Sequence, residues 1–128
     1  MNINTRDEGS AVTGFALVAP LLVLTFIALI VVTSILRERV VLGAAASTAA
    51  RTAAAYGSSD SLGHVSALKV ATDNGMKKAD IEFDISHPLS QGVRLVEVTV
   101  SSRVTIPWMN RSLTLHQTAR AVDEESLL

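Results

Sequence analysis

No cysteine occurs among the 128 residues of this chain, so no disulfide can staple any part of it. Neither sign of charge is in excess. Of eleven Lys/Arg and twelve Asp/Glu, only Arg6, Asp7 and Glu8 precede residue 37, which leaves residues 37–128 balanced at ten against ten. No basic stripe is present, and that argues against nucleic acid as a partner. A part this small, unstapled, is marginal alone, so it is expected to lean on the helix that carries it.

Catalytic patterns are also missing. His64, His87 and His116 are the only histidines. None lies in an H-E-x-x-H or comparable spacing, and no cysteine can join them around a metal. They read as surface residues on a helix, in a turn and on a strand. Glu82 and Asp84 belong to the polar face of a strand and read as solvated. The stretch "GSSDSLG" lacks the Gly-Lys-Ser/Thr ending of a phosphate loop. The sequence therefore predicts no catalytic, cofactor-binding or metal residues, no cofactor and no small-molecule substrate: not an enzyme.

A third absence is the most informative. No charge occurs from Gly9 to Leu36, and a helix crossing the roughly 30 Å hydrocarbon core needs about 20 apolar residues. From Phe15 to Leu36 the exceptions are Thr25, Thr33 and Ser34, whose hydroxyls can return to the helix backbone. A soluble core helix would show a polar face; this run has none, so it reads as a transmembrane helix. A cleaved signal peptide would need a cationic start and a shorter apolar run. Ala44 and Ala46 could supply its small residues, but Asp7 and Glu8 stand where cations are expected.

Past Leu36 the sequence turns to "RERVVLGAAASTAARTAAA", rich in alanine, the best helix former. The helix is expected to continue to about Ala55, where "YGSSDS" breaks it. Ala44, Ala45, Ala49, Ala53 and their neighbours are small enough to let a sheet approach, and Gly43 costs some helicity. A second helix is predicted over Ser61–Asn74, capped at its start by Asp60 or Ser61 and at its end by Gly75. Leu62, Val65, Leu68 and Ala71 are expected to share its buried face, and Gly63 to weaken its first turn. After Gly75 the period becomes two. Ile81, Phe83 and Ile85 mark one strand. "HPLSQG" turns the chain, and Val96, Val98, Val100, Val104 and Ile106 mark the inward face of a second strand. "PWMNR" turns it again, and Leu113, Leu115, Ala119 and Ala121 line a third. "DEESLL" is an acidic tail with no evident partner in the sheet. The fold class is α+β, with a long N-terminal helix, a second helix and a three-stranded antiparallel sheet.

That architecture is pilin-like, and "GSAVTGFALVAPLLVL" (Gly9–Leu24) resembles the opening of TadE-family pseudopilins, the minor pilins of Flp/Tad pilus systems. Gly9 and Ser10 match the family's start. Phe15, Ala16, Leu17, Val18 and Pro20 match its later block in register, and the alanine-rich helix and closing "QTARAV" also look like the family. The resemblance implies a cytoplasmic leader over 1–9, cut by a prepilin peptidase between Gly9 and Ser10. It further implies a transmembrane helix over 10–36, an extracytoplasmic head over 37–122 and an acidic tail over 123–128. The implied setting is the cytoplasmic membrane, spanned once, with other pilins as partners and entry into an extracellular pilus. Without the resemblance, Gly9-Ser10 would read as a pre-helix turn with Ser10 as N-cap. A cut at Gly14-Phe15 would put Ala19 at the fifth position and disrupt the register.

The chain departs from the family at Gly14, where a glutamate usually stands. That glutamate is thought to neutralise the new N-terminal amine of a neighbouring subunit, and a charge among apolar helices is costly unless paired. The departure implies a minor, initiating or tip position. Pro20 removes one helix hydrogen bond; it reads either as a tolerated kink or as a segment that repacks when a subunit leaves the bilayer. The flanking arginines, Arg6 before the helix against Arg37, Arg39 and Arg51 after it, favour the opposite orientation under the positive-inside rule. The alternative function is an unprocessed single-pass membrane protein with a small extracytoplasmic binding domain.

Overall fold

The computed structural model describes residues 6–55, 57–106 and 108–127. They fall into two compact units divided between Ser34 and Ile35. Helix α1 runs Arg6–Ala54. Within the first unit the uncharged run is exposed at nearly every position, with Phe15, Leu17, Leu21, Leu24 and Ile30 all open and Ala19 and Val31 half-buried. The hydroxyls of Thr25, Thr33 and Ser34 donate to the carbonyls four residues back, at 2.9, 2.8 and 2.9 Å, so the run's few polar side chains are satisfied within the helix. This helix is long and apolar enough to cross a membrane.

The second unit is an α+β head built from the rest of α1, helix α2 (Asp60–Asp73) and strands β1 (Ile81–Ser86), β2 (Leu89–Ser90), β3 (Val93–Ile106) and β4 (Arg111–Val122). Strand β3 is central. It pairs antiparallel with β1 from Ile81↔Ser102 to Ser86↔Glu97, and on its other edge with β4 from Leu95↔Val122 to Ile106↔Arg111. The expected three strands become four, because Pro88 has no N–H to continue the β1 ladder and pairing resumes at Leu89↔Arg94. Gln91 and Gly92 then turn the chain with φ of 52° and 83°, the two positive values that a two-residue type I′ hairpin demands.

Val96, Val98 and Val100 are fully buried on the inward face of β3, against Leu42, Ala45, Ala46, Ala49 and Ala50 of α1. Each such valine contributes about 1.5–3 kcal/mol through burial. The buried positions of α1 recur as adjacent pairs every four residues from Val41-Leu42 to Ala53-Ala54, one stripe of a 3.6-residue helix. Ala44 does not belong to it: it lies between the pairs and is exposed, correcting the expectation that it faces the sheet.

Helix α2 departs further from expectation. Its buried residues are Gly63, Ala67 and Ala71, whereas Leu62 and Val65 are 53% and 61% exposed. A repeat of three falls short of the helical turn and drifts round the surface; Gly63, Ala67 and Ala71, spaced by four, stay on one side. Gly63 is the point of closest approach between the helices. A Cβ there would lie 2.9 Å from Ala53 Cβ and 3.0 Å from the Ala49 carbonyl oxygen. Ser59 is the N-cap, not Asp60 or Ser61, and its side chain makes no cap hydrogen bond. At the other end the Gly75 N–H donates to the Thr72 carbonyl and the Met76 N–H to the Ala71 carbonyl, at 3.0 and 3.1 Å. With Gly75 at φ 85°, this is a Schellman closure.

The acidic tail is tied to the sheet after all. The Asp123 N–H donates to the Arg94 carbonyl at 3.0 Å, and a 3-10 turn follows over Glu124–Leu127.

Candidate functional site

The residues singled out for processing and assembly all lie on the N-terminal stretch of α1. Gly9 and Ser10 are exposed and already helical, since α1 begins at Arg6. The reading of Ser10 as an N-cap is thereby corrected: the helix starts a turn earlier. The Thr13 hydroxyl donates to the Gly9 carbonyl at 2.7 Å, so that carbonyl is engaged from its own helix. Gly14 is exposed, and a Cβ added there meets nothing within 4 Å; a glutamate would fit without moving a neighbour. Phe15, Ala16, Leu17, Val18 and Pro20 are all exposed. The helix passes through Pro20 without interruption.

The three histidines lie apart on the head, on the elements expected. On α2 the His64 ring meets Phe83 edge-on, with centroids 4.6 Å apart. In the turn after β1, His87 Nε2 lies 3.0 Å from Asp60 Oδ2, which ties that turn to the start of α2. His116 is exposed on β4, opposite Ser101. Among the described residues no group of three or more His, Cys, Asp or Glu could hold a metal ion.

The solvent face of the sheet carries cross-strand pairs. Thr99 and Thr118 share a 2.9 Å hydroxyl contact, and the Arg120 guanidinium donates to the Glu97 carboxylate. Both are directly opposed pairs in register, the contacts that stabilise neighbouring strands. A shallow cleft of about 80 Å³ opens at the β1–β3 edge, lined by Asp80, Glu82, Ser101, Ser102, Arg103 and Thr114. That is room for a few waters, well below the roughly 300 Å³ at which small-molecule sites begin.

Where α1 enters the head, partial burial and then the neighbouring Asp80 carboxylate raise the pKa of Glu38 above the ordinary glutamate value. Comparison of the chain with family models, with curated proteins and with solved structures returned no match.

Two features escaped the sequence reading. The sequence marks Gly63 as a weak point of α2, whereas the structure makes it the contact point with α1. The sequence between β3 and β4 predicts a turn and nothing more, yet that turn exposes Trp108 and Met109 side by side. The available signal was an apolar pair in a place where turn chemistry favours polar residues.

Proposed function

We propose that this chain is a minor pseudopilin of a Tad-type pilus or secretion system: inserted in the cytoplasmic membrane by α1, cut by a prepilin peptidase between Gly9 and Ser10, and assembled with other pilins. Its role is structural, not catalytic. The observation that carries the reading is α1 itself. One helix bears the "FALVAP" block and an all-round apolar surface in its N-terminal stretch, and a buried small-residue stripe in its last turns. That is the division of labour expected of a subunit held in lipid at one end and folded at the other. Gly9 and Ser10 support the cut, because they offer a peptidase at the membrane face a backbone with almost no side chain.

A second reading, an unprocessed single-pass protein with a small binding head, is favoured by the state of the scissile bond. Gly9 is helical and its carbonyl is engaged by Thr13, so cutting requires the first turns of α1 to unwind. The arginine balance points the same way. Intact-mass measurement and N-terminal sequencing of the membrane-extracted chain separate the two. The pseudopilin reading expects a chain that begins at Ser10, and Gly9→Val should abolish that product while leaving insertion intact. A chain that retains residues 1–9 in its native host overturns it.

A further inference from the structure

The direction of the head's elements can be followed from end to end. Gly63, near the start of α2, meets Ala49 and Ala53 of α1, and His87, just past β1, meets Asp60 at the same end. At the opposite end Asp80, just before β1, acts on Glu38, and Ile35 packs against the core. Strand β1 therefore runs from the Glu38 end of the head to the Ala53 end. Strand β3 runs back, passing Ile81 at Ser102 and continuing to Ile106. At about 3.3 Å per residue, those four further residues carry the chain some 13 Å past the start of β1. The turn residues 108–110 thus project from the Glu38 end, where the chain joins the uncharged run that stops at Leu36.

This projecting end has a distinct chemistry. Trp108 is 58% exposed, Met109 53% and Leu113 41%. Arg103 and Arg111 flank the turn and are exposed. No acidic residue occurs between Glu97 and Asp123; Asp80 and Glu82 face Arg103 only across the cleft at the β1 edge. Tryptophan is enriched at the membrane–water interface, where its apolar ring and polar N–H each find a partner, and cations close to an anionic bilayer are attracted to its phosphates.

We propose that the tip of the β3–β4 hairpin is a lipid-binding element, which seats Trp108 and Met109 in the headgroup layer of an anionic bilayer while Arg103 and Arg111 meet the phosphates. This rests on the reading of α1 as a membrane anchor. It gives the head a second attachment to the bilayer beside the chain itself.

Trp108 is the single tryptophan of the chain, so its emission reports the tip alone. The full chain is reconstituted into phosphatidylcholine–phosphatidylglycerol vesicles that contain brominated lipids, and flotation is measured alongside fluorescence. The expected result is a blue-shifted emission, quenched more by bromines near the top of the acyl chain than by bromines near its end, and protected from acrylamide. Arg103→Glu combined with Arg111→Glu, both on exposed side chains, should lose much of that quenching while the chain still floats. If the wild-type chain floats but Trp108 is open to acrylamide and untouched by bromolipid, the inference is wrong and the anchor reading stands. If Trp108 is shielded from both quenchers, the tip contacts protein, and the lipid assignment falls. A chain that does not float overturns the anchor reading and this inference with it.

Discussion

Adding one methyl group at Gly63 should weaken the head, although alanine is the better helix former. The gain in helix propensity is about 1 kcal/mol. Against it stands a Cβ placed 2.9 Å from Ala53 Cβ and 3.0 Å from the Ala49 carbonyl oxygen. Overpacking of this kind costs about 1–3 kcal/mol, so Gly63→Ala should range from neutral to roughly 2 kcal/mol destabilising. Gly43→Ala is the internal control. It carries the same propensity gain inside a helix, but its Cβ would meet nothing within 4 Å. The difference between the two variants therefore isolates the close approach of α2 to α1, at about 1–3 kcal/mol. Ala53→Gly in the Gly63→Ala background should recover only part of the loss, because the Ala49 carbonyl is backbone and cannot retreat alone. Pulse proteolysis across a urea series, on the full chain in mild detergent, reads the head without interference from the apolar helix. If Gly63→Ala stabilises as much as Gly43→Ala, the two helices do not touch at Gly63.

Three further outcomes are expected. Val98→Asp places a carboxylate without a partner in the core, at a cost of several kcal/mol, and should leave the head protease-sensitive; Glu97→Val, one residue away on the solvent face, loses only an exposed pair worth about 0–1 kcal/mol, and equal damage from both would refute the register of β3. Burial and Asp80 raise the pKa of folded Glu38, so the folded head binds that proton more tightly than the unfolded chain does, and its stability rises as pH falls through the raised value until the unfolded glutamate is protonated as well. Glu38→Gln should accordingly stabilise the head at neutral pH, by an amount that shrinks toward acid; a pH-independent difference in urea midpoint would contradict this. Gly14→Glu should leave the Gly9 cut unchanged and raise recovery in sheared pilus fractions relative to the membrane, measured by quantitative immunoblotting, whereas wild-type protein already as abundant there as the major pilin would show the missing carboxylate to be irrelevant.

What could be read from the sequence follows from the size of the side chains involved. The apolar run, the helix ending near Ala54 and the inward valines of β3 were all legible, because large apolar residues write their period into the sequence. The buried face of α2 was not. Gly63, Ala67 and Ala71 have almost no hydropathy of their own, and the louder pattern of Leu62 and Val65 belongs to an exposed surface. Ala44 was misplaced for the same reason: in a run of alanines nothing distinguishes the stripe from its neighbours. The break at Pro88 and the Gln91-Gly92 hairpin lay within a stretch read as a single turn. The tie between Asp123 and the Arg94 carbonyl is a backbone bond, and backbone bonds leave no trace in residue type. At the candidate site, residue identities were legible but conformation was not, since nothing in "RDEGSAVTG" announces that the helix starts before Gly9.

Helix α1 obeys two opposite packing rules along one continuous backbone, and that contrast is the strongest physical argument about its setting. Over Phe15–Ile30 the large side chains are exposed on all sides of the axis, while the few hydroxyls of the run bond back to the helix. Water would penalise that surface at about 25 cal/mol for every Å² of apolar area left open, and the helix is long and apolar enough to cross a membrane. Over Val41–Ala54 the large residues give way to alanine, and the buried positions narrow to one stripe. Here the neighbour is protein, and small side chains let β3 and α2 come close enough for dispersion contacts to accumulate. A soluble helix of this length would need the second rule throughout, and a purely lipid-embedded one the first. The switch between them falls at Arg37-Glu38-Arg39, the first charges after Gly9.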